Sequence, residues 1–319
     1  MGIHSAFAQK TSETPLAIKG ILDLRKADLS KQTLPLSGEW GIYWKQLISP
    51  GSPATGPVSY VPFPELWTKT NLNGYTLPPK GYASYTLTVL LPPHKNKLAL
   101  EIPDTYSSYR LYVNDEVFAA SGSPDSIAAR AIPRWVENTL ELTGKQDTLH
   151  LILQVANYWH SKGGPYKDIL IGDKEILFHE KEIDNAFDLF LTGCLFMGGL
   201  FFFGLFLFGR HDKSILYFAL FCMSYSYRII GSRGYVLHSI FPDIPWTITT
   251  HLEYLSLFIS VVFFSLYTKH LYPIDSNKMA VRLEVWSCLV LSAIVILFPP
   301  SVFTKLINPF LVVMFGVLV

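Results

Sequence analysis

Residues 189–208 read LFLTGCLFMGGLFFFGLFLF, twenty consecutive positions without a charged side chain. An α-helix rises about 1.5 Å per residue, so this run reaches roughly 30 Å, the thickness of the hydrocarbon core of a bilayer. The run therefore predicts a membrane-spanning helix. Almost everything before it has the composition of a water-soluble domain, and we expect two parts in two solvents that meet near Ile183.

The composition supports this division. Hydrophobic residues make up 50% of the chain and its mean hydropathy is +0.28, an excess that lies almost wholly after residue 186. Through Glu180, 17 Lys and Arg residues balance 17 Asp and Glu residues. Because this balance provides no basic stripe, we expect no nucleic-acid partner. All three cysteines lie in apolar runs, which predicts no disulfide framework and no cysteine metal site.

The N-terminus carries a signal that bears on cellular location. Ala6-Phe7-Ala8 before Gln9 has the small-x-small form of a signal-peptidase site, although few residues precede it. We interpret residues 1–8 as the tail of a signal peptide whose front is missing from this sequence. The alternative is chance, because Ala-x-Ala is a common pattern. The first interpretation predicts an exported domain that begins near Gln9.

Residues 20–180 show the two-residue period of β-strands. Tyr85, Leu87 and Val89 alternate with threonines, and the longest such run extends from Leu149 to Val155. Turn signals separate the runs, including Ser-Gly-Ser-Pro at 121–124 and Gly-Gly-Pro at 163–165. Many short strands without an amphipathic helix between them predict an antiparallel all-β sandwich over residues 9–182.

Five short motifs in this region occur in one order: Leu36-Ser-Gly-Glu-Trp40, Val61-Pro-Phe-Pro64, Gly81-Tyr-Ala-Ser-Tyr85, Tyr109-Arg-Leu-Tyr-Val-Asn114 and Gln154-Val-Ala-Asn157. Together they resemble the sugar-binding jelly roll that opens family 2 glycoside hydrolases. The resemblance implies a galactose-binding-like jelly roll over residues 34–172. In that family the catalytic carboxylates lie in a separate barrel domain, and no stretch here could form that barrel, so we expect no enzyme. One departure is Asp115, which stands where a tight hairpin prefers glycine and leaves the register there uncertain.

The candidate ligand site follows from the chemistry of carbohydrate recognition, which pairs an aromatic platform with planar polar side chains. Three segments supply those residue types: Asn157 with Trp159 and His160, Asp104 with Tyr106, and Arg134 with Trp135. The structural alternative is that Asn157 orders the Gly-rich loop and that Trp135 closes the end of the sandwich. His160 has no second ligand at metal-binding spacing, so we expect no metal and no cofactor.

Five apolar segments follow the sandwich and define the predicted membrane part, residues 183–319. They cover residues 189–208, 214–230, 250–268, 283–298 and 306–319. The fifth has 14 residues before the sequence ends and is too short to span a bilayer as it stands. We expect a fragment of a longer protein, with an incomplete seven-helix set and a missing domain.

The short loops predict the orientation. The two loops on one side carry the basic residues Arg210, Lys213, Lys269, Lys278 and Arg282, whereas those on the other side carry Arg233 and Lys305. By the positive-inside rule the first side is cytoplasmic. This predicts a multi-pass protein of the cell (inner) membrane with its N-terminal domain on the outer side, in the periplasm or outside the cell.

Two charges fall at the predicted outer ends of neighbouring helices. Arg228 ends the second apolar segment and Glu253 begins the third. A charge in hydrocarbon costs several kcal/mol unless it is paired or lies near the surface. We hypothesise an intramembrane ion pair between them, assisted by His251 or Tyr227. The alternative is that both side chains extend separately into the headgroup region.

The membrane part resembles a second family. A helix rich in Gly and Phe is followed by Gly209-Arg-His-Asp-Lys213, by Leu216-Tyr-Phe-Ala-Leu220 and by Ile229-Ile-Gly-Ser-Arg-Gly234. This pattern is similar to bacterial seven-transmembrane receptors with diverse intracellular signalling modules. The resemblance implies a receptor that joins an extracytoplasmic jelly roll to seven helices and a cytoplasmic kinase, cyclase or phosphatase.

The implied partners are a small-molecule or carbohydrate ligand and the lipid bilayer, with a homodimer left open. The nearest alternative is a membrane-anchored carbohydrate-binding protein without signalling. A transporter would place polar interruptions at the bilayer midplane, where Asn308-Pro309 is the single example here. A hydrolase would need two paired carboxylates, and Glu101 with Asp104 is the nearest pair.

Overall fold

The structure is a computed structural model that describes residues 14–318 except 53, 94–96, 145, 210, 233–235, 242 and 275. The predicted signal-peptide tail, residues 1–8, lies outside these residues, as do Arg210 and Arg233 of the orientation argument. The described residues form a two-sheet β-sandwich that is followed by a bundle of helices. The prediction of an N-terminal all-β sandwich before a helical membrane part is confirmed.

Thirteen strands are present in the described residues: β1 Ile21–Asp23, β2 Leu34–Pro35, β3 Gly38–Trp44, β4 Ser59–Phe63, β5 Asn71–Leu72, β6 Tyr75–Thr76, β7 Gly81–Leu90, β8 Leu98–Ile102, β9 Ser108–Val113, β10 Glu116–Ser121, β11 Asn138–Glu141, β12 Thr148–Asn157 and β13 Leu170–Asp173. One sheet has the order β10-β9-β12-β7-β3-β4, with β1 parallel to β7. The facing sheet has the order β11-β8-β13-β2, and β5 pairs with β6 alone.

The core lies between the two sheets and follows the predicted alternation. Tyr85, Leu87 and Val89 of β7 are buried, and Leu151 of β12 pairs with Leu87 in antiparallel register. Side chains of alternate strand residues point to one face, so these apolar positions line the core together. The indole of Trp40 stacks on the ring of Phe63 at 4.0 Å between centroids.

The hairpin between β9 and β10 forms in spite of the missing glycine. Asn114 and Asp115 both have positive φ angles, 46° and 73°, as a tight two-residue hairpin loop requires. Asn and Asp tolerate this conformation better than other residues that carry a Cβ atom. The register is therefore regular at the turn, where Glu116 pairs with Val113, and it shifts only at a bulge between Val117 and Ala119.

The helices of the described residues are α1 Lys174–Phe208, α2 Lys213–Ser232, α3 Val236–Ile240, α4 Trp246–Leu271, α5 Lys278–Leu297, α6 Pro300–Phe303 and α7 Ile307–Leu318. Four of them, α1, α2, α4 and α5, are long and apolar enough to cross a membrane. Helices α1, α2 and α4 contain the first three predicted apolar segments, α5 covers the fourth except Phe298, and α7 covers most of the fifth. The chain reverses direction at each turn, so α2 ends, α4 begins and α5 ends on the side of the sandwich.

Helix α1 begins earlier than the predicted boundary at residue 183. Asp173 is both the last residue of β13 and the N-cap of α1, where its Oδ1 accepts a hydrogen bond from the backbone N of Glu175 at 2.9 Å. A capping carboxylate satisfies one of the free N–H groups at a helix start. The 35-residue helix therefore runs from the sheet into the apolar segment, over roughly 50 Å.

The end of the sandwich that faces the helices includes three loops, residues 103–107, 122–137 and 157–169, which we call the membrane-facing loops. The backbone N of Ser161 donates to Oγ1 of Thr304 at 3.1 Å, and Trp135 packs edge-to-face on Trp246 with ring centroids 5.5 Å apart. Thr304 follows α6 and Trp246 begins α4. These contacts join the loops to the ends of the helices.

Candidate functional site

The membrane-facing loops hold a stack of three rings around Tyr106. The Tyr106 ring lies 4.5 Å from the His160 ring at 5° and 4.0 Å from the Tyr166 ring at 21°. Both faces of Tyr106 are therefore covered by protein. A sugar ring has no open face of Tyr106 to stack on in this arrangement.

Asp104 lies beneath this stack and is only 1% exposed. Its carboxylate accepts hydrogen bonds from the Tyr166 hydroxyl at 2.8 Å and from the backbone N of Tyr106 at 3.2 Å. Nζ of Lys167 lies 3.5 Å away. Burial raises the pKa of Asp104, and the charge of Lys167 with the Tyr166 hydrogen bond opposes that shift.

Asn157 orders the Gly-rich loop that follows it. Its Nδ2 donates to the carbonyls of Pro79 at 2.7 Å and His160 at 2.9 Å, and its Oδ1 accepts from the backbone N of His160 at 3.0 Å. His160 is 2% exposed, and burial lowers its pKa to about 4. Its imidazole is thus neutral at pH 7, and its Nδ1 accepts from the backbone N of Lys162 at 3.1 Å.

Trp135 connects the stack to the helices. Its Nε1 donates to the carbonyl of Tyr106 at 3.0 Å, and its ring meets Trp246 at the start of α4. Arg134 is exposed and its backbone N donates to the carbonyl of Ser107 at 2.8 Å. Trp159 keeps 39% of its surface exposed.

Of the seven predicted ligand residues, the structure brings Asp104, Tyr106 and His160 into one cluster, with Asn157 beside it and Trp135 below it. Arg134 and Trp159 lie on the surrounding surface. The buried members are engaged in contacts within the protein, and those contacts lie where the sandwich meets the helices. The cluster is therefore a junction between the two parts of the chain.

The helix ends on the other side of this junction carry a charged pair. Nη1 of Arg228 on α2 lies 3.2 Å from Oε1 of Glu253 on α4, and it also donates to the Glu253 carbonyl at 3.2 Å. Burial first, and then the negative charges of Asp104 and Glu253, raise the pKa of Tyr106. Nδ1 of His251 lies 2.6 Å from the Thr247 carbonyl.

Within the described residues, the hydroxyl of Tyr227 is buried without a hydrogen-bond partner. Sequence reasoning missed a second polar contact between helices, in which Oγ of Ser265 on α4 donates to Oε2 of Glu284 on α5 at 2.9 Å. Its signal was Glu284 inside an otherwise apolar run.

Helix α1 is tied to the sandwich by two groups of ion pairs that sequence reasoning also missed. Oε2 of Glu141 on β11 lies 2.7 Å from Nζ of Lys174, and Glu137 contacts Nζ of both Lys181 and Lys167. We call these the Glu141 clasp and the Glu137 clasp. Although burial favours the neutral acid, Lys167 and Lys181 hold the pKa of Glu137 below its usual range. The sequence signal was the spacing of these charges. Glu137 and Glu141 are four residues apart in an extended segment, and Lys174 and Lys181 are seven apart in a helix, so each pair lies on one face.

A cavity of about 370 Å³ opens between the sandwich and α1. Its walls combine carboxylates, two lysines and a few apolar side chains: Glu101, Pro103, Glu137, Lys167, Asp168, Leu170, Lys181, Asp184, Asn185, Phe187 and Asp188. Burial raises the pKa of Glu101, Lys181 opposes the shift, and the neighbouring carboxylates add to it. The volume is in the range of small-molecule sites. No group of side chains in the described residues has the makeup of a metal site.

Comparisons with known proteins address the two parts separately. Residues 184–319 match the family model described as 7TM diverse intracellular signalling. Structural similarity relates 45% of this chain to 31% of a β-glucuronidase from Faecalibacterium prausnitzii, at 10% identity and a TM-score of 0.35. It also relates 47% of this chain to 26% of a GH2 β-galacturonidase from Eisenbergiella tayi, which was crystallised with galacturonate, at 15% identity and a TM-score of 0.31.

The chain thus spans less than a third of either enzyme. No curated protein matches it in sequence. The family match covers α2 to α7 and all but the first ten residues of α1. The helical part of the chain, residues 184–319, is therefore similar to the family described as 7TM diverse intracellular signalling.

Proposed function

We propose that the chain is the sensing part of a membrane receptor. The sandwich binds a small molecule outside the cytoplasm, and the helices transmit the resulting change to a cytoplasmic output module. The match of residues 184–319 to the 7TM diverse intracellular signalling model supports a signalling role in the membrane. The observation that carries the rest is α1, which begins at the sheet, is held by the Glu141 and Glu137 clasps, and continues into the membrane.

The clasps give the proposal a physical route. A stiff helix that is fixed to the sandwich at two points changes its tilt or rotation when the sandwich changes its position on the helices. A flexible linker would absorb that movement. The ligand must favour one seating over the other, because only differential affinity shifts an equilibrium. Two positions of the sandwich on the helices would differ in three contacts: the Glu137 clasp, the Trp135–Trp246 contact and the Ser161–Thr304 hydrogen bond.

The cavity beside α1 is the ligand site that this mechanism favours. Its two walls belong to different parts, with Glu101 and Asp168 on the sandwich and Asp184 and Asn185 on α1. A molecule that bridges these walls changes the seating of α1 directly. Carboxylate and amide side chains exchange hydrogen bonds with hydroxyl groups, so saccharides are the first class of ligand to test.

The proposed orientation places the sandwich in the periplasm or outside the cell, with the helices in the inner membrane. It is supported by Lys213, Lys269, Lys278 and Arg282, which all lie at helix ends away from the sandwich. We also propose that this chain has no hydrolase activity of its own. Asp104, half of the one carboxylate pair considered for hydrolysis, is occupied by Tyr166, Tyr106 and Lys167.

The test uses the full chain in lipid nanodiscs, titrated with galactose, glucuronate, galacturonate and N-acetylglucosamine. We expect saturable binding of at least one saccharide and slower amide exchange in residues 174–188 of α1. Glu101→Gln should weaken that binding about tenfold, because it removes a charged acceptor from the cavity. Glu116→Gln, on the exposed hairpin, is the matched control and should leave it unchanged.

The outcomes separate the candidate functions. Binding that leaves the exchange of α1 unchanged would favour a membrane-anchored binding protein without signalling. The absence of saturable binding by all four sugars would reject the carbohydrate part of the proposal. Equal affinity of the Glu101→Gln and wild-type chains would reject the cavity as the site.

A further inference from the structure

Two of the membrane-facing loops carry large apolar side chains that are exposed. Ile127 is 47% exposed, Ile132 is 62% exposed and Trp159 is 39% exposed. We call these three residues the apolar rim. Arg130 is exposed on the same loop as Ile127 and Ile132. Isolated apolar side chains are common on protein surfaces, whereas apolar side chains that share one surface mark an interaction site.

Hydrogen bonds join the two loops that carry the rim. The hydroxyl of Tyr158, next to Trp159, donates to the carbonyls of Asp125 at 3.0 Å and Ser126 at 2.8 Å. These carbonyls immediately precede Ile127, whose backbone N donates to Oδ1 of Asp125 at 2.8 Å. Ile132 is held to the same loop by paired backbone hydrogen bonds with Ser123 at 2.9 and 3.0 Å. The rim therefore lies on one connected pair of loops.

The level of the rim relative to the membrane follows from its chain neighbours. Ser161, two residues after Trp159, is hydrogen-bonded to Thr304 beyond the end of α6. Trp135, three residues after Ile132, packs on Trp246 at the start of α4. Trp246 is the first residue of α4 and Thr304 follows α6, so both partners lie at helix ends on the side of the sandwich. The rim thus lies within a few residues of the level at which headgroups meet hydrocarbon.

The composition of the rim suits that level. Tryptophan is enriched at membrane interfaces, where its ring is apolar and its N–H remains solvated. Apolar side chains next to an arginine are typical of surfaces that insert shallowly among headgroups, because the guanidinium pairs with phosphate.

Exposed apolar residues at the opposite end of the sandwich provide a contrast. Ile21 pairs with Thr88, seven residues along β7 from Gly81 at the membrane-facing end, a distance of roughly 23 Å. Ile21 is exposed but cannot reach a bilayer that the rim touches.

We propose that the apolar rim lies in the headgroup layer of the outer leaflet. The bilayer surface is then a contact partner of the sandwich, in addition to the helices. Lipid contact at the rim restricts how far the sandwich can tilt when it reseats on α1.

The test uses full-length chains in nanodiscs with single added cysteines, labelled with an environment-sensitive nitrobenzoxadiazole dye. Ile132→Cys and Trp159→Cys report on the rim, and Ile21→Cys is the matched control. The unmodified chain gives the background, since Cys194, Cys222 and Cys288 all lie in membrane helices. The quencher is phosphatidylcholine with a doxyl group near its headgroup.

We expect the emission of both rim labels to fall at least about twofold in doxyl nanodiscs relative to plain ones, with little change at Ile21→Cys. Equal quenching at Ile132→Cys and Ile21→Cys would overturn the proposal. The proposal would also be overturned if the emission of the rim labels were unaffected by the doxyl lipid but changed with protein concentration. That result would indicate contact with a second copy of the chain.

Discussion

At the scale of single residues, the pair between Arg228 and Glu253 is a contact that pattern reasoning could propose. Both residues stood at predicted outer helix ends, and the structure brings their charged groups to 3.2 Å. Their place at the helix ends on the side of the sandwich depends on how the sandwich packs on the helices, as in the contact of Trp135 with Trp246, and could not be proposed from the sequence. Charge in an apolar run is visible in a sequence, but its partner in another domain is not.

Exchanging the two charges tests this pair. Arg228→Glu and Glu253→Arg each place two like charges at a partly buried site, so each should lower stability by about 2 kcal/mol or more. The double exchange should recover most of the loss. The measurement is the melting temperature of the purified chain in detergent. A double variant no more stable than the single variants would contradict the pairing.

His160 predicts a pH dependence of the sandwich. Its pKa is about 4 in the folded chain, below the usual 6.5, so the unfolded chain binds more protons between these values. Its contribution to stability is complete above pH 6.5 and is lost as the pH falls toward 4, by up to about 3 kcal/mol. His160→Asn should flatten this part of the profile in chemical unfolding, whereas His150→Gln, at an exposed site on β12, should not. Parallel profiles for His160→Asn and the wild type would disprove the role of His160.

At the scale of elements, periodicity located most strands and membrane helices, but it did not locate the start of α1. Residues 174–188, KEILFHEKEIDNAFD, mix charged and apolar residues, and the predicted boundary between the two parts fell inside them, near Ile183. The structure shows them as helix because one side packs on the sandwich while charges on α1 engage the clasps. A local pattern cannot reveal a helix whose partner strand, β11, lies more than thirty residues earlier.

The two clasps are expected to differ in strength. The side chain of Glu137 is 10% exposed, and Glu137→Ala removes the acid partner of Lys181, whose side chain is only 20% exposed, so it should destabilise the chain by about 2 kcal/mol. Glu141 is more exposed, and solvent screens its pairs, so Glu141→Ala should have little effect. Unfolding by urea measures both changes. The reverse ranking would show that the clasps do not hold α1 as described.

Continuity of α1 can be tested by breaking it. Proline in a helix interior removes a hydrogen bond and costs about 3 kcal/mol. Asn185→Pro should therefore raise amide exchange in residues 178–190 by about 100-fold while the strands keep their protection. Asn185→Ala is the control and should match the wild type. Unchanged exchange in the proline variant would mean that the two parts are not joined by one helix.

At the scale of the whole molecule, the domain order was readable from composition and motifs, but the seating of one domain on the other was not. The sequence predicted a sugar-binding platform that includes Asp104, Tyr106, His160 and Trp135, because aromatic and polar residues in loops are typical of ligand sites. The same residue types serve equally well at a junction between domains. Only the fold brings Trp135 against Trp246, more than a hundred residues apart.

The proposed orientation makes a prediction for intact cells. Ser52→Cys lies in an exposed loop of the sandwich, and Ile274→Cys lies in the exposed turn between α4 and α5. A membrane-impermeant maleimide should label the first in intact cells and the second only after the inner membrane is permeabilised. The opposite pattern would place the sandwich in the cytoplasm and reject the receptor orientation.

The shared role of Asp173, as the end of a strand and the cap of a helix, leaves no flexible linker between the sandwich and the membrane-spanning helix. Each residue of a helix advances it by about 100°. One extra residue inserted after Asp188 would turn every downstream face of α1 away from α2, while seven would nearly restore the original phase. The length of α1 thus fixes how its membrane-spanning part is rotated relative to the sandwich. Insertions that keep the helical phase should preserve the proposed signalling, and insertions that shift the phase should change it.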